Sequence, residues 1–533
     1  MREAVALLEQ VTRLAPNHAD ALHLLGVIAH QLGKVELALE LAEKAIKANP
    51  YNPHFYCNSG NMLFANGLIE EAAARLRQAL SLQPTYAPAH YDLAIVLSAQ
   101  GKPLDAIDSY RQAIKCDAGF VDAHYNLGSA LAEQGDLPRA IDSYKQAINL
   151  KPEFFAAHHM LGKTLEELKE FESAVISYQT AIKLKPNDGH AHFNLGHAYQ
   201  SQGKIEDAIA SYGTALSFDP SLTEAVINVG ILLQNLGRIA DATCWLEKGL
   251  ADNPKEGWRI ASLLLVAYWI AGRHEEAKNT IGKFKQPVES LDPDKLDRSG
   301  RGSLIFFILI AALLRNLDKQ KEIYSTPKTA IPLHSFGESH CLIPAHASFM
   351  WCGDMVTTTS HLVRGVKMFH LGQNETNQYK TCLATQLENT PSNSHLLFTI
   401  GEIDCRPDEG IWIIANKSDK PLEAVIIKTV NGYLDWLSSQ LAGRQFRSIT
   451  IQGIPAPGYP LDGLSDPSDR QAFLDMIRNV NLCLMKEANR HGWRFLDVHA
   501  ATADTDGAGN KNWHLDSHHV QPLLYAHAET WIR

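Results

Sequence analysis

The sequence predicts a multidomain chain: an all-α superhelical solenoid over its first half and a three-layer α/β domain over its second. Three observations predict it. A 34-residue period runs without a slip from Leu25-Gly26 to Val229-Gly230. A polar stretch rich in turn formers follows at residues 285–302. From Ala330 onward the period is gone, and strand-like runs alternate with amphipathic segments. At 533 residues the chain has room for two to four domains of roughly 150 residues each. The boundaries expected are 1–285 for the solenoid, 286–329 for a linker and buried capping helix, and 330–533 for the α/β domain.

The repeat columns have physical reasons. Gly26, Gly60, Gly128, Gly162, Gly196 and Gly230 recur in one column (Ala94 in the third unit), and Ala38, Ala72, Ala106, Ala140, Ala174, Ala208 and Ala242 in another. Small residues at both let two helices approach closely. Pro50, Pro84, Pro152, Pro186, Pro220 and Pro254 close each unit, with Ala118 the one break in the column. Ala4, Leu8, Val11 and Pro16 match a second helix with no first helix before it, so the chain is expected to start in mid-repeat. After Pro254 the pattern degrades through Trp258, Tyr268 and Ala277, as a capping repeat would.

This period and these columns resemble the tetratricopeptide repeat (TPR), a pair of antiparallel helices per unit, here a half repeat plus about eight repeats. The residue before each Leu-Gly would face the concave side: Asn58, Asp92, Asn126, Asn194 and Asn228, with Leu24 and Met160 in the same column. Side-chain amides both donate and accept, so such a ladder suits the main chain of an extended peptide. It is similar to the TPR arm of the O-linked N-acetylglucosamine transferases, which implies a polypeptide partner in the groove. The same residues are also what a solvated inner helix face would carry.

Composition bounds the rest. With 45% apolar and 20% charged residues, the chain reads as soluble and globular. A formal charge of −10 argues against broad nucleic-acid binding, which needs a basic face. Eight cysteines are scattered without a CxxC pair, the usage of a reducing compartment rather than of a disulfide framework or zinc site. The N-terminus lacks an apolar core of the secretory type, and the most apolar run, Ser303 to Leu314, falls short of the ~20 residues that span a bilayer. A buried helix, no membrane span and a cytoplasmic location are expected.

In the second half, candidate strands fall at 330–335, 364–371, 395–400, 446–454 and 493–498, with helices at 419–441 and 468–490. The pattern implies a parallel sheet, flavodoxin-like in outline, whose chemistry sits beyond the carboxyl ends of the strands. Ser339 follows the first strand on a turn that would expose its hydroxyl. Asp516 and His519, three residues apart near the end of the chain, are spaced for a carboxylate to hold an imidazole against a serine. His518 is an alternative base.

This half is similar to the SGNH, or GDSL-type, hydrolase family. Gly337-Glu338-Ser339 stands where the family has Gly-Asp-Ser, and Asp516-Ser517-His518-His519 fits its Asp-x-x-His block. The resemblance implies Ser339 as nucleophile, His519 as base and Asp516 as orienting acid. Backbone N–H groups of Ser339 and Gly365 would hold the oxyanion, with Gly372 a weaker choice than Gly365. The block expected to read Gly-x-Asn-Asp or -Glu is Gly401-Glu402-Ile403-Asp404, so one oxyanion donor is replaced by Ile403. Arg406 could supply a charged donor positioned by Asp404, or the two could pin a loop. His340 would pack in the pocket wall and Cys405 in the interior. His514-x-Asp516-x-His518 alone is too little for a metal site, and no metal or cofactor is expected. A serine esterase or acyltransferase on an O-acyl ester of a glycan or glycoprotein leads; an inactive binding module on a repeat scaffold is the alternative. A glycosyltransferase, which the repeat arm alone would suggest, comes last, for want of two nucleotide-sugar lobes and a Gly-rich phosphate loop.

Overall fold

A computed structural model of the chain describes residues 2–533 except 254–256, 325, 326, 328, 402, 407–409, 418, 419, 458–463, 465 and 505–518. The chain divides into two compact units, Met1–Leu195 and Gly196–Arg533. The repeat period runs through the division.

In the first unit, helix Arg2–Leu14 precedes five antiparallel pairs, from Ala19–Gln31 with Val35–Ala48 to Phe155–Glu167 with Phe171–Leu184. The alanine column is the reason they pack so closely: Ala38, Ala72, Ala106, Ala140 and Ala174 are all fully buried. A Cβ on Gly128 would lie 2.8 Å from the Tyr144 ring, so glycine and aromatic face each other by necessity. The second helix of each pair ends in an extended residue, Asn49, Gln83, Lys151 and Lys185, directly before its proline. Asp117 is equally extended although Ala118 follows it. Proline therefore suits the turn without being what creates it.

In the second unit the repeat helices continue and merge with the α/β part. Helix Gly257–Ile270 is apolar apart from Arg259 and Ser262 and is almost wholly buried, as a helix covered on most sides should be. Its Trp269 joins Phe307, Ile310, Leu333, Leu342, Trp351, Leu397 and Tyr525 in one continuous core. Trp269 Nε1 donates to the Leu342 carbonyl at 3.0 Å, and His346 Nε2 lies 2.6 Å from the Trp269 carbonyl. Helix Arg298–Lys319 extends well beyond the apolar run Ser303–Leu314. Among the described residues it is the helix long and apolar enough to cross a membrane by length and composition. Half of its apolar window is buried, with Phe306, Phe307, Leu309, Ile310, Leu313 and Leu314 in the shared core.

Among the described residues the sheet has six strands: β1 (Ile331–Gly337), β2 (Ser348–Trp351), β3 (Asp354–Leu362), β4 (His395–Thr399), β5 (Ser448–Gln452) and β6 (Arg494–Leu496). Their order is β2-β3-β1-β4-β5-β6, with only β2 antiparallel to its neighbour. The sheet is therefore mixed, not purely parallel as expected. The segment 364–371 is not a strand: Gly365 sits at φ +72° and Met368–Leu371 forms a helical turn. The strand lies just before it, where Val356, Thr358, Ser360 and Leu362 point inward in strict alternation. Long helices Leu422–Leu441 and Pro467–Arg490 pack on each other between the later strands.

Candidate functional site

β1 delivers the candidate serine. At its last residue, Gly337, a Cβ would lie 2.3 Å from Thr399 Oγ1 and 2.8 Å from the Thr399 carbonyl of the paired β4. Only glycine fits there, and the chain then turns into the short 3₁₀ segment Ser339–Leu342. Ser339 is not exposed, as its turn suggested, but 3% accessible. The residues that follow it explain the burial. Cys341, Leu342 and Ile343 belong to the core, and Ser360 Oγ holds the Cys341 carbonyl.

His519 Nε2 lies 2.9 Å from Ser339 Oγ, across 180 positions of sequence. The ring is 1% accessible. His340, 2% accessible, packs its ring 5.1 Å from that of His519. Asp516, assigned by sequence to orient the imidazole, lies outside the described residues, as do His518 and His514.

The two N–H groups assigned to the oxyanion do converge, and on a single group. The Glu338 carboxylate accepts the N–H of Ser339 with one oxygen and that of Gly365, at 3.3 Å, with the other. Gly372 has a different part: its N–H closes the turn Met368–Leu371 at 3.0 Å, and its backbone meets that of Gly432 closely. Asp404 is fully buried and accepts the N–H groups of Met368 at 2.8 Å and Phe369 at 3.3 Å. It thereby caps that turn from a distance and holds the loop that carries Gly365. Cys405 is buried. Arg406 is half-buried and lines a cavity that also touches Glu338, Arg364 and Gly365.

Arg364 was not singled out by sequence reasoning, though a charge inside the apolar run Leu362-Val363-Arg364-Gly365-Val366 was a visible signal. Its guanidinium lies 3.8 Å over the Phe306 ring, its Nε donates to Gln234 Oε1 at 3.2 Å, and its N–H donates to Asn235 Oδ1 at 2.8 Å. Burial pulls its pKa down to about 10, opposed by the charge of Glu338, so it is a cation at neutral pH.

The asparagine ladder is half-buried and engaged with the repeat before it. Asn58 Nδ2 lies 2.9 Å from His23 Nε2, Asn126 Nδ2 donates to the Tyr91 hydroxyl at 2.9 Å, and Asn194 Nδ2 lies 2.8 Å from His159 Nε2. Asp92 accepts from Asn61 at 2.7 Å and from the Cys57 thiol, and burial raises its pKa. Asn228, half-buried, belongs to helix Thr223–Asn235 of the second unit.

Comparison with known proteins identifies the repeats. Models of the tetratricopeptide repeat match residues 1–53, 91–154 and 190–222, and a TPR repeat model matches 60–101 and 165–203. The first 220 or so residues are a TPR array. A curated relative, the TPR repeat-containing thioredoxin TTL4 of Arabidopsis thaliana, is 36% identical over 69 residues, which is 13% of this chain. The chain spans about a tenth, 10%, of that relative's length. Among solved structures, YrrB, described as a TPR protein with an unusual peptide-binding site, is 23% identical with a TM-score of 0.33, covering 34% of this chain and 95% of its own. PilF of Pseudomonas aeruginosa is 22% identical with a TM-score of 0.33, covering 38% of this chain and 92% of its own.

Proposed function

We propose that the α/β part of the second unit, residues 330–533, is a serine esterase or acyltransferase of the SGNH type, and that the TPR array binds a polypeptide partner or substrate. One observation carries the reading: His519 Nε2 stands 2.9 Å from Ser339 Oγ at the carboxyl end of β1. Strand order supports it. Without β2, the strands run second-first-third-fourth-fifth in chain order, the doubly wound arrangement whose crevice opens between its first and third strands. Those are β1 and β4, and the loops after them carry Ser339 and Asp404–Arg406.

In this reading Ser339 Oγ attacks the ester carbonyl and passes its proton to His519 Nε2. The carbonyl electrons move onto oxygen, which takes the place of the Glu338 carboxylate and meets the N–H groups of Ser339 and Gly365. Collapse breaks the C–O bond, and the leaving alcohol recovers the proton from His519. Water, or an acceptor hydroxyl, then releases the acyl group by the same steps in reverse. Asp516 is assigned to the imidazole Nδ1 by the Asp-x-x-His resemblance. An O-acyl group on a glycan or glycoprotein is the substrate class that the family resemblance favours.

The test is covalent labelling of purified full-length protein by a fluorophosphonate, with turnover of p-nitrophenyl acetate alongside. Ser339→Ala should abolish both; turnover that survives unchanged removes the assignment. The hold of Glu338 on both N–H groups, with Ile403 at the family's Asn position, favours a second reading, a binding module without catalysis. Resistance to the label in both the wild type and Glu338→Ala would select it.

A further inference from the structure

We infer that the cavity beside Glu338 is a binding site for a ligand carrying at least two oxyanion groups, phosphate or carboxylate. The cavity measures about 1010 Å³ and lies wholly within the second unit, walled by repeat helices, the start of helix Arg298–Lys319 and the loops after β1 and β3. Among the described residues lining the cavity positive charge predominates. Arg298, Arg301, Arg364, Lys367 and Arg406 line it, and Glu338 is the sole carboxylate among the described lining residues. Five cations gathered in a chain whose formal net charge is −10 run against its average composition. A concave wall with an excess of one sign concentrates ligands of the other.

The second observation is Arg364 itself. Phe306, Gln234 and the Asn235 contact to its backbone fix the guanidinium in place. Its Nη2 is nevertheless buried with no hydrogen-bond partner among the described residues. A buried cation with an idle donor is costly. Glu338 does not remove that cost, because its two oxygens take the N–H groups of Ser339 and Gly365. An oxyanion entering the cavity would complete the Arg364 fork and be held in bidentate fashion. The stacked rings of His370 and Tyr379, 4.2 Å apart, form a flat wall beside it.

The site stands on the cavity alone. Joined to the reading of Ser339 as a nucleophile, on which this extension rests, it makes the substrate an anionic ester, because Glu338 and Gly365 line the cavity as well as the serine turn.

The experiment is calorimetric titration of the full chain with inorganic pyrophosphate and, separately, with citrate. Saturable binding that weakens with salt is expected for at least one. Arg298→Gln with Arg301→Gln, both at exposed positions, and Arg406→Gln should each weaken it about tenfold or more, the worth of one charge-assisted contact. Preference for pyrophosphate assigns a phosphate ligand, and preference for citrate a carboxylate one. Absence of binding to both, or binding untouched in both variants, overturns the inference. Fluorophosphonate labelling of the same sample reads Ser339 separately, so either conclusion can fail without the other.

Discussion

The Glu338 carboxylate accepts the Gly365 N–H at 3.3 Å while its other oxygen holds the N–H of Ser339. One side chain thus occupies the point where a developing oxyanion would have to sit. It also shows that the two donors converge, since one carboxylate reaches both. Removing it should free them. Glu338→Ala is expected to raise the rate of fluorophosphonate labelling about 10–100-fold, the worth of hydrogen bonds to a charged group. Labelling that is unchanged or slower in a variant with the wild-type melting temperature would show that Glu338 does not guard the site.

His519 meets Ser339 through Nε2 at 2.9 Å. A positioned general base contributes roughly 10²–10⁴-fold, so His519→Gln should lower p-nitrophenyl acetate turnover by that factor while leaving the fold intact. His340→Gln, which alters the ring packed beside His519, should lower it far less. Equal losses in the two variants would mean that packing, not proton transfer, is what His519 supplies.

Gly337 carries the geometry that brings the serine out of β1. A methyl there would collide with Thr399 Oγ1 at 2.3 Å and with the Thr399 carbonyl at 2.8 Å. Gly337→Ala should destabilise the second unit by about 1–3 kcal/mol, read as a lower urea midpoint, and should slow labelling of Ser339. The carbonyl cannot be cut away, so Thr399→Ser is not expected to rescue it. Full rescue by Thr399→Ser would place the strain in the threonine methyl instead.

Much of this arrangement was readable before folding. The 34-residue columns are short-range and repeat, so each unit reinforces the others. β1, β4, β5 and β6 overlap the segments read as strands, and Asp-x-x-His near the chain end marked His519. Three things were not readable. β3 is threonine-rich and alternates, so the more apolar segment after it looked like the better strand, yet Gly365 at φ +72° ends any strand there. The mate of Glu338 is set by where the loop after β3 falls, a tertiary fact without local signature. Burial of Ser339 follows from Cys341-Leu342-Ile343 entering a core shared with the repeat helices, which no local turn pattern encodes.

The sheet also contains a titrating pair. His334 Nδ1 lies 2.8 Å from His361 Nε2, and His361 Nδ1 lies 3.0 Å from Gln386 Oε1. Burial brings the pKa of His334 down to about 4; burial, with the neighbouring His334 adding to it, brings His361 down to about 3. Both rings are therefore neutral in the fold, whereas in the unfolded chain they take protons near pH 6.5. The unfolded state binds more protons below that pH, so stability is full above about 6.5 and is lost progressively as pH falls toward 4. Carboxylates with lowered pKa, such as Asp354 and Asp466, act in a lower window. The melting temperature should hold from pH 8 to 7 and fall from 6.5 to 4.5, and His334→Gln with His361→Gln should flatten the fall. A slope that the double variant leaves unaltered would assign it to other groups.

The asparagine ladder ties each repeat to the one before it. Each Nδ2 of Asn58, Asn126 and Asn194 reaches a ring or hydroxyl 35 residues earlier, on the preceding repeat. The amide oxygen remains for a peptide N–H, so the same side chain can couple neighbouring repeats and present an acceptor to the groove. The two parts separate by substitution. Asn126→Ala removes both and should cost about 1 kcal/mol of unfolding free energy, because a solenoid's stability is a sum of repeat and interface terms. Tyr91→Phe removes only the inter-repeat bond, since the phenyl ring can keep the packing of Tyr91 against Phe120 and Tyr110. It should show most of the stability loss while leaving capture of an extended peptide intact. Equal unfolding midpoints for Asn126→Ala and wild type would mean that the ladder faces solvent without joining the repeats.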